Sequence, residues 1–215
     1  MRTHFSRSPC SVPLENRDYP EWRRGRERYG IWMIDADTPP LRERIALART
    51  ELGDLLTEHQ RSPHITLFVC GFLVAKAVRI DPFDDDFDDA MRARQRQALA
   101  AARPAAFTLE IGGINSFDSA VFFEVHGASQ ALRNVRRALS RGQAEICPGR
   151  YTPHLTVGLY RDAFAKSELR RRLAILATLP PIRLEVREIV FAGYSACSLD
   201  GPLAIIERLP LAAAR

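Results

Sequence analysis

A short motif occurs twice in this chain, ninety residues apart, and this internal repeat limits the possible folds more than any other feature. Pro-His-apolar-Thr-apolar stands at 63–67 and again at 153–157. The same shift lays IWMIDAD (31–37) onto VFFEVHG (121–127), so each copy reads as strand, helix, strand with the motif opening the second strand. A solenoid needs three or more such units. Two copies therefore predict a closed domain with halves related by a pseudo-twofold axis.

Hydrophobic periodicity predicts an alternation of strands and helices along the chain. Strands are predicted at 30–36, 64–74, 107–117, 120–126, 153–160, 182–194 and 203–209. Helices are predicted over about 40–57, 88–103, 128–141 and 163–177. Elements in this order are typical of an α/β or α+β domain.

The length of 215 residues and the hydrophobic fraction of 46% favour one domain with a sizeable core. Residues 1–28 are rich in arginine and poor in apolar periodicity, which predicts an N-terminal arm. We expect residues 29–215 to form a single bilobal domain, with halves at about 29–105 and 106–215.

An acidic stretch at 80–90 contains six Asp residues and predicts an exposed, solvated loop. The alternative is a calcium loop that begins at Asp84. An EF-hand loop requires Gly at its sixth position and Glu at its twelfth, where this chain has Asp89 and Gln95. The solvated loop is therefore the preferred interpretation.

The net charge of +5 favours an anionic partner such as nucleic acid or a nucleotide. Compositional bias is the alternative explanation, because nearly all of the basic residues are Arg. Four widely spaced Cys residues predict reduced thiols, and no apolar run is long enough for a membrane span or a secretory signal. We therefore expect a cytoplasmic protein that does not bind a membrane.

The histidine and threonine of each motif stand two positions apart on a strand, so their side chains share a face about 6.5 Å apart. The pairs are His64 with Thr66 and His154 with Thr156. At this spacing an imidazole and a hydroxyl contact different oxygens of one phosphate. If the pseudo-twofold axis brings the two motif strands together, two imidazoles flank the phosphorus and two hydroxyls bind its oxygens. This arrangement favours in-line displacement with one His as base and the other as acid.

Face alternation extends the candidate site to two aromatic residues, and three arginines flank the motifs in the sequence. Phe68 and Tyr160 fall on the same side as the histidines and are predicted to stack on a nucleobase. Arg61, Arg150 and Arg161 would supply positive charge to phosphate. Packing in the core is the alternative for the aromatic rings, and solvation is the alternative for the arginines.

The chain resembles the two-histidine (2H) phosphoesterase superfamily, and more closely its bacterial 2′-5′ RNA ligase-like and 2′,3′-cyclic phosphodiesterase branch. That family is defined by two His-x-Thr/Ser-x motifs, one in each half of a bilobal fold. The resemblance covers about residues 29–211. It rests on RSPHITLFVCGF, SFDSAVFFEVHGASQALRNVRRAL, RYTPHLTVGLY and the final GPLAIIERLPL.

This resemblance implies a bilobal α+β fold, with two pseudo-symmetric halves of antiparallel sheet and flanking helices around a central cleft. It implies hydrolysis of 2′,3′-cyclic phosphates, or of 2′-5′ linkages, without a metal or other cofactor. His64 and His154 would be the acid–base pair, and Thr66 and Thr156 would bind the phosphate. RNA ends or nucleotide 2′,3′-cyclic phosphates would be the partners of a monomeric protein.

Three other functions remain open from the sequence. The same site could join RNA ends through 2′-5′ linkages, or the cleft could bind RNA without catalysis. Alternatively, the two histidines could hold a metal ion, as imidazoles often do. Among the residues predicted to share their face, only Cys70 is a good additional metal ligand.

Overall fold

The computed structural model describes residues 8–15, 17–58, 60–78, 85–146, 149–198 and 200–213. Within these ranges the helices are α1 (Pro20–Arg23), α2 (Pro39–Leu52), α3 (Asp89–Ala102), α4 (Ser129–Ser140) and α5 (Lys166–Leu176). The strands are β1 (Arg28–Asp35), β2 (His64–Leu73), β3 (Asp86–Phe87), β4 (Phe107–Ser116), β5 (Ala120–His126), β6 (His154–Leu159), β7 (Ile182–Val186), β8 (Glu188–Ser195) and β9 (Ala204–Pro210). None of these helices combines the length and apolar character needed to span a membrane.

The strands form two largely antiparallel sheets, in the orders β3-β2-β1-β8-β9 and β6-β5-β4-β7. The bilobal α+β fold is confirmed, but the predicted second half, 106–215, is wrong at its end. After Val186 the chain leaves the four-stranded sheet, and β8 joins the other sheet, where it pairs with β1 from Val190 onward. For the same reason the strand predicted at 182–194 is two strands.

The helix predicted over 40–57 ends at Leu52, because the following residues pair with the other half of the molecule. Leu56 forms an isolated bridge with Tyr160, and the Thr57 amide donates to the Leu159 carbonyl at 2.9 Å. Leu56 and Thr57 therefore connect the end of the first repeat to the motif strand of the second.

A bulge interrupts β2 at the last residue of its motif. Thr66 lies opposite Met33 and Phe68 lies opposite Trp32, so Leu67 is an extra residue in the ladder. Bulges of this kind reverse the alternation of faces beyond them.

β6 carries the same bulge at the same place. Thr156 lies opposite Phe122 and Gly158 lies opposite Val121, which makes Val157 the extra residue. The repeat therefore extends from the sequence motif to a local irregularity of the backbone.

The strands that precede the motifs are related by a different shift. Asp35 lies opposite His64, and Glu124 lies opposite His154. The two carboxylates are 89 residues apart, whereas the histidines are 90 apart. The alignment of 31–37 with 121–127 is therefore off by one residue, because the second half has one more residue between its strands.

A buried glutamine connects the first sheet to α3 and α4. Gln95 accepts a hydrogen bond from Trp32 Nε1 at 2.7 Å and donates to the Leu139 carbonyl at 3.2 Å. All three side chains are fully buried. A buried amide with its partners satisfied fixes the relative placement of the elements that hold it.

The predicted N-terminal arm packs on the domain where the structure describes it. The Leu14 amide donates to the Tyr160 carbonyl at 2.9 Å, and Trp22 packs on Phe72 with ring centroids 4.6 Å apart. In addition, β1 begins at Arg28, inside the predicted arm.

Part of the acidic stretch at 80–90 is buried against this N-terminal segment. Arg26 Nη1 donates to Asp85 at 2.6 Å and to Asp86 at 2.7 Å. Asp85 is only 7% exposed, so its interpretation as part of a solvated loop is wrong. Residues 79–84 lie outside the described part of the chain, and with them the start of the calcium alternative at Asp84.

Candidate active site

Both motif histidines are held by the same hydrogen bond. His64 Nδ1 donates to the Ser62 carbonyl at 2.9 Å, and His154 Nδ1 donates to the Thr152 carbonyl at 2.8 Å. Because a carbonyl only accepts, Nδ1 must carry a proton in each ring. Nε2 is then the nitrogen that gains or loses a proton in each imidazole.

The two motif strands belong to different sheets but approach each other, with Cα atoms within 8 Å. Pro63 and Thr156 line one small cavity of about 140 Å³. The Tyr151 hydroxyl donates to the Thr66 carbonyl at 2.9 Å, which connects the segment before the second motif to the first motif. The structure therefore brings the four predicted histidine and threonine residues into one region.

The environments of the two motifs match residue by residue. From 61 to 70 the sequence of buried and partly exposed residues is the same as from 151 to 160. In both strands the histidine and threonine are partly exposed, while the apolar residues between and after them are buried. Each motif thus presents a polar face to the region between the sheets.

The pKa of His64 falls from 6.5 to about 4, mainly because burial disfavours the charged ring. Positive charge on Arg61 and on His154 lowers it further. The Ser62 carbonyl and the Asp35 carboxylate act in the opposite direction. At neutral pH His64 is therefore uncharged, and its Nε2 can accept a proton.

A carboxylate stands opposite each motif histidine, and sequence reasoning missed both. Asp35 is paired with Arg208 at 3.0 Å. Glu124 accepts a hydrogen bond from Asn115 and lies 3.3 Å from His126 Nε2. The available signal was an acidic residue near the end of the strand that precedes each motif.

The prediction that Phe68 and Tyr160 lie on the histidine face is wrong. Both side chains are fully buried, and Tyr160 shares a 2.6 Å hydrogen bond with Ser116 Oγ. The extra residues Leu67 and Val157 reverse the face alternation on which the prediction depended. As placed, neither ring is available to a nucleobase.

A different aromatic residue lies next to the motif histidine of the second half. Phe117 is partly exposed and contacts the His154 ring edge-on, with centroids 5.0 Å apart. It also stacks on Phe122 at 4.2 Å. The loop position of Phe117, directly after β4, gave no signal of this contact in the sequence.

The three candidate arginines differ in their placement. Arg61 lines the small cavity beside the motifs, and its guanidinium lies 4.0 Å above the Tyr194 ring. Arg161 lines a neighbouring cavity, and its Nε donates to the Leu56 carbonyl at 3.0 Å. Arg150 is exposed. The first two arginines therefore place positive charge next to the motifs.

The structure also bears on the metal alternative. Cys70 is fully buried, with its Sγ 3.7 Å from Gln95 Oε1 in the core. It therefore does not share the motif face, for the same reason as Phe68. In the described residues no three His, Cys, Asp or Glu side chains are grouped closely enough to hold a metal ion.

Two sheets that each present a His-x-Thr strand to a common region are the arrangement of the two-histidine phosphoesterase superfamily. The chain belongs to the 2′-5′ RNA ligase superfamily, whose family model matches residues 37–196. No protein of curated description matches the sequence.

Several solved structures share the fold. E. coli LigT complexed with 3′-AMP superposes with a TM-score of 0.58 at 17% identity, over 86% of this chain and 98% of LigT. The protein TT0787 of Thermus thermophilus gives 0.55 at 16% identity, over 87% of this chain and all of that protein. The Agrobacterium tumefaciens protein ATU0111, of unknown function, gives 0.58 at 17%, over 90% of this chain and 91% of that one. At these identities the likeness establishes the fold.

Proposed function

We propose that this protein is a metal-independent phosphodiesterase that hydrolyses 2′,3′-cyclic phosphates of RNA or nucleotides. The observation that carries the proposal is the matched pair of histidines, each with Nδ1 bound to a backbone carbonyl. This fixed tautomer leaves two Nε2 atoms as proton carriers on strands that approach each other. A structural histidine would have no need of such a duplicate.

In the proposed reaction, His64 is the base because its ring is neutral at pH 7. Its Nε2 takes a proton from water as the water oxygen forms a bond to phosphorus. The bond from phosphorus to the ribose 3′ oxygen breaks, and His154 Nε2 gives its proton to that oxygen. The product is a 2′-phosphate with a free 3′ hydroxyl, and solvent restores the two protonation states.

The threonine hydroxyls have a separate role in this proposal. Thr66 and Thr156 donate hydrogen bonds to the non-bridging phosphate oxygens, which gain charge as water attacks. Arg61, which lines the cavity beside Thr156, contributes positive charge to the same oxygens.

The structural relatives support a phosphate-bearing substrate. E. coli LigT has been crystallised with 3′-AMP, with ATP, with NADP+ and with phosphate. Each of these ligands carries a phosphate group that the proposed site would accept. The same acid and base could also join RNA ends, with a 5′ hydroxyl in place of water.

The test is turnover of a 2′,3′-cyclic mononucleotide, with the product identified by phosphorus NMR in the presence of EDTA. We expect a 2′-phosphate, at a rate that the chelator does not change. His64→Ala and His154→Ala should each lower the rate about 10²- to 10⁴-fold. The matched control is His126→Ala, which removes an exposed imidazole from the same half as His154.

Two outcomes would contradict the proposal. One is full activity in the His64 and His154 variants. The other is a loss of activity in EDTA that a divalent ion restores, which would favour a metal site. Joining of a 5′-hydroxyl RNA to a cyclic end, without hydrolysis, would replace hydrolysis by ligation at the same histidines.

A further inference from the structure

The bulge at the last residue of each motif is held by an arginine from a helix. Arg49 of α2 donates Nε to the Val157 carbonyl at 2.8 Å. Arg136 of α4 donates Nη1 to the Leu67 carbonyl. Leu67 and Val157 are the extra residues of the two bulges. The two arginines are therefore counterparts across the pseudo-twofold axis.

Their electrostatic surroundings are opposite. Arg136 is neutralised by Glu145, with Nη2 and Oε2 2.6 Å apart, and it lies 3.8 Å above the Tyr151 ring. Ile146 binds the Val69 carbonyl as Thr57 binds the Leu159 carbonyl, so Leu56 is the counterpart of Glu145 in the first half. Arg61 stands ninety residues before Tyr151. The charge of Arg136 is thus compensated by a carboxylate. Arg49 has no acidic residue at the corresponding position and instead shares a cavity with a second arginine, Arg61.

No carboxylate within the described residues forms an ion pair with Arg49, and burial alone lowers its pKa. Its hydrogen bond to Val157 uses one of the five N–H donors of the guanidinium. A partly buried charge without a counter-ion is costly. An anionic ligand would supply the charge that Glu145 supplies to Arg136.

The space for such an anion adjoins the motifs. Arg49 lines the 140 Å³ cavity together with Thr156 and Arg61. It also lines a second cavity of about 400 Å³, together with Arg161 and Glu58. Among the described residues Arg161 forms no close ion pair with a carboxylate, and the charge of Asp54 acts on it only from a longer distance. Arg61, Arg49 and Arg161 therefore line two adjoining cavities, and Glu58 is also part of the lining of the second.

We propose that Arg49 and Arg161 form a second phosphate subsite, which binds the next phosphodiester of an oligonucleotide whose terminal phosphate lies between the histidines. This inference rests on the proposed function and specifies its substrate class as single-stranded RNA ends. A cyclic mononucleotide fills only the first site, whereas an oligonucleotide fills both. The subsite lies on one side of the pseudo-twofold axis, so it also fixes the direction in which the RNA chain binds.

The test compares kcat/KM for a uridine tetranucleotide ending in a 2′,3′-cyclic phosphate with kcat/KM for the cyclic mononucleotide. Arg161→Gln is the main variant, because Arg49 also holds the Val157 bulge. We expect the ratio of the two constants to fall about tenfold or more, because a charged contact to phosphate is lost. Arg137→Gln, an equal change of charge on the exposed face of α4, is the matched control.

Salt dependence gives a second readout. The slope of log(kcat/KM) for the tetranucleotide against log[salt] should become shallower by about 0.7 in Arg161→Gln, because one phosphate contact of a single strand is removed. An unchanged ratio and slope would overturn the subsite. Equal losses in Arg161→Gln and Arg137→Gln would overturn it too, because net charge would explain them.

A binding measurement separates this inference from the proposed function. If the wild-type protein turns over neither substrate, the hydrolytic function fails, but the subsite can still be measured. Fluorescence anisotropy with a labelled tetranucleotide bearing a 3′-phosphate should then show weaker binding to Arg161→Gln than to Arg137→Gln. Equal affinities of the two variants would reject the subsite.

Discussion

Asp35 lies directly opposite His64 in the β1–β2 ladder, and its negative charge raises the pKa of the imidazole against the larger effect of burial. Arg61 acts in the other direction on the same ring. Burial therefore dominates the pKa of His64, and two charges of opposite sign that can be removed separately adjust it. This arrangement makes the proposed base accessible to mutational test.

The first prediction concerns the acidic limb of the pH–rate profile. As a base His64 works only when neutral, so activity should rise with pH through about 4. Asp35→Asn removes the negative charge and should move this limb to lower pH. Arg61→Gln removes a positive charge and should move it to higher pH. The measurement is the profile of kcat/KM against pH for the wild type and both variants. Shifts of the acidic limb in the same direction in both variants would contradict the assignment of His64 as the base.

The second prediction concerns stability. The pKa of His64 is about 4 in the folded protein and about 6.5 in the unfolded chain, so the unfolded chain binds more protons between these values. The free energy of unfolding should therefore fall as the pH is lowered from 6.5 to 4. Urea denaturation at several pH values should show a smaller fall in His64→Gln. An identical fall in both proteins would show that a group other than His64 causes the pH dependence of stability.

The third prediction tests the hydroxyls of the motifs. Thr66→Val and Thr156→Val each remove a hydrogen bond to a charged oxygen, worth roughly 1.5–3 kcal/mol, or one to two decades in kcat/KM. Thr→Ser at either position keeps the hydroxyl and should recover most of the rate. Valine variants as active as the wild type would show that the hydroxyls do not contact phosphate.

The repeat made much of the fold predictable. Two copies of strand, helix, strand implied two lobes, and the bilobal α+β arrangement is confirmed. The destination of the last two strands was not predictable, because a hydrophobic pattern shows that a strand has a buried face but not which sheet it joins. Only the register shows that β8 pairs with β1.

Spacing in the sequence predicts which residues share a face only as far as the threonines. A period of two places a histidine and a threonine on one face, but this alternation fails at the first bulge. Leu67 is that bulge in β2, and it turns Phe68 into the core. Asp35 is visible in the sequence as an acidic residue near the end of β1, but its position opposite His64 was not predictable, since pairing between strands separated by a whole helix cannot be derived from spacing.

The last prediction concerns the arginine that holds the β2 bulge. Arg136→Met leaves the partly buried carboxylate of Glu145 without its cation and the Leu67 carbonyl without its donor. We expect the free energy of unfolding to fall by about 3 kcal/mol, the lower end for a broken buried pair. Arg137→Met, the exposed neighbour, should change it by less than about 0.5 kcal/mol. Because the cost arises mainly from the stranded carboxylate, adding Glu145→Gln to Arg136→Met should recover part of the loss. If the double variant is no more stable than Arg136→Met in urea denaturation, the stranded charge is not the cause.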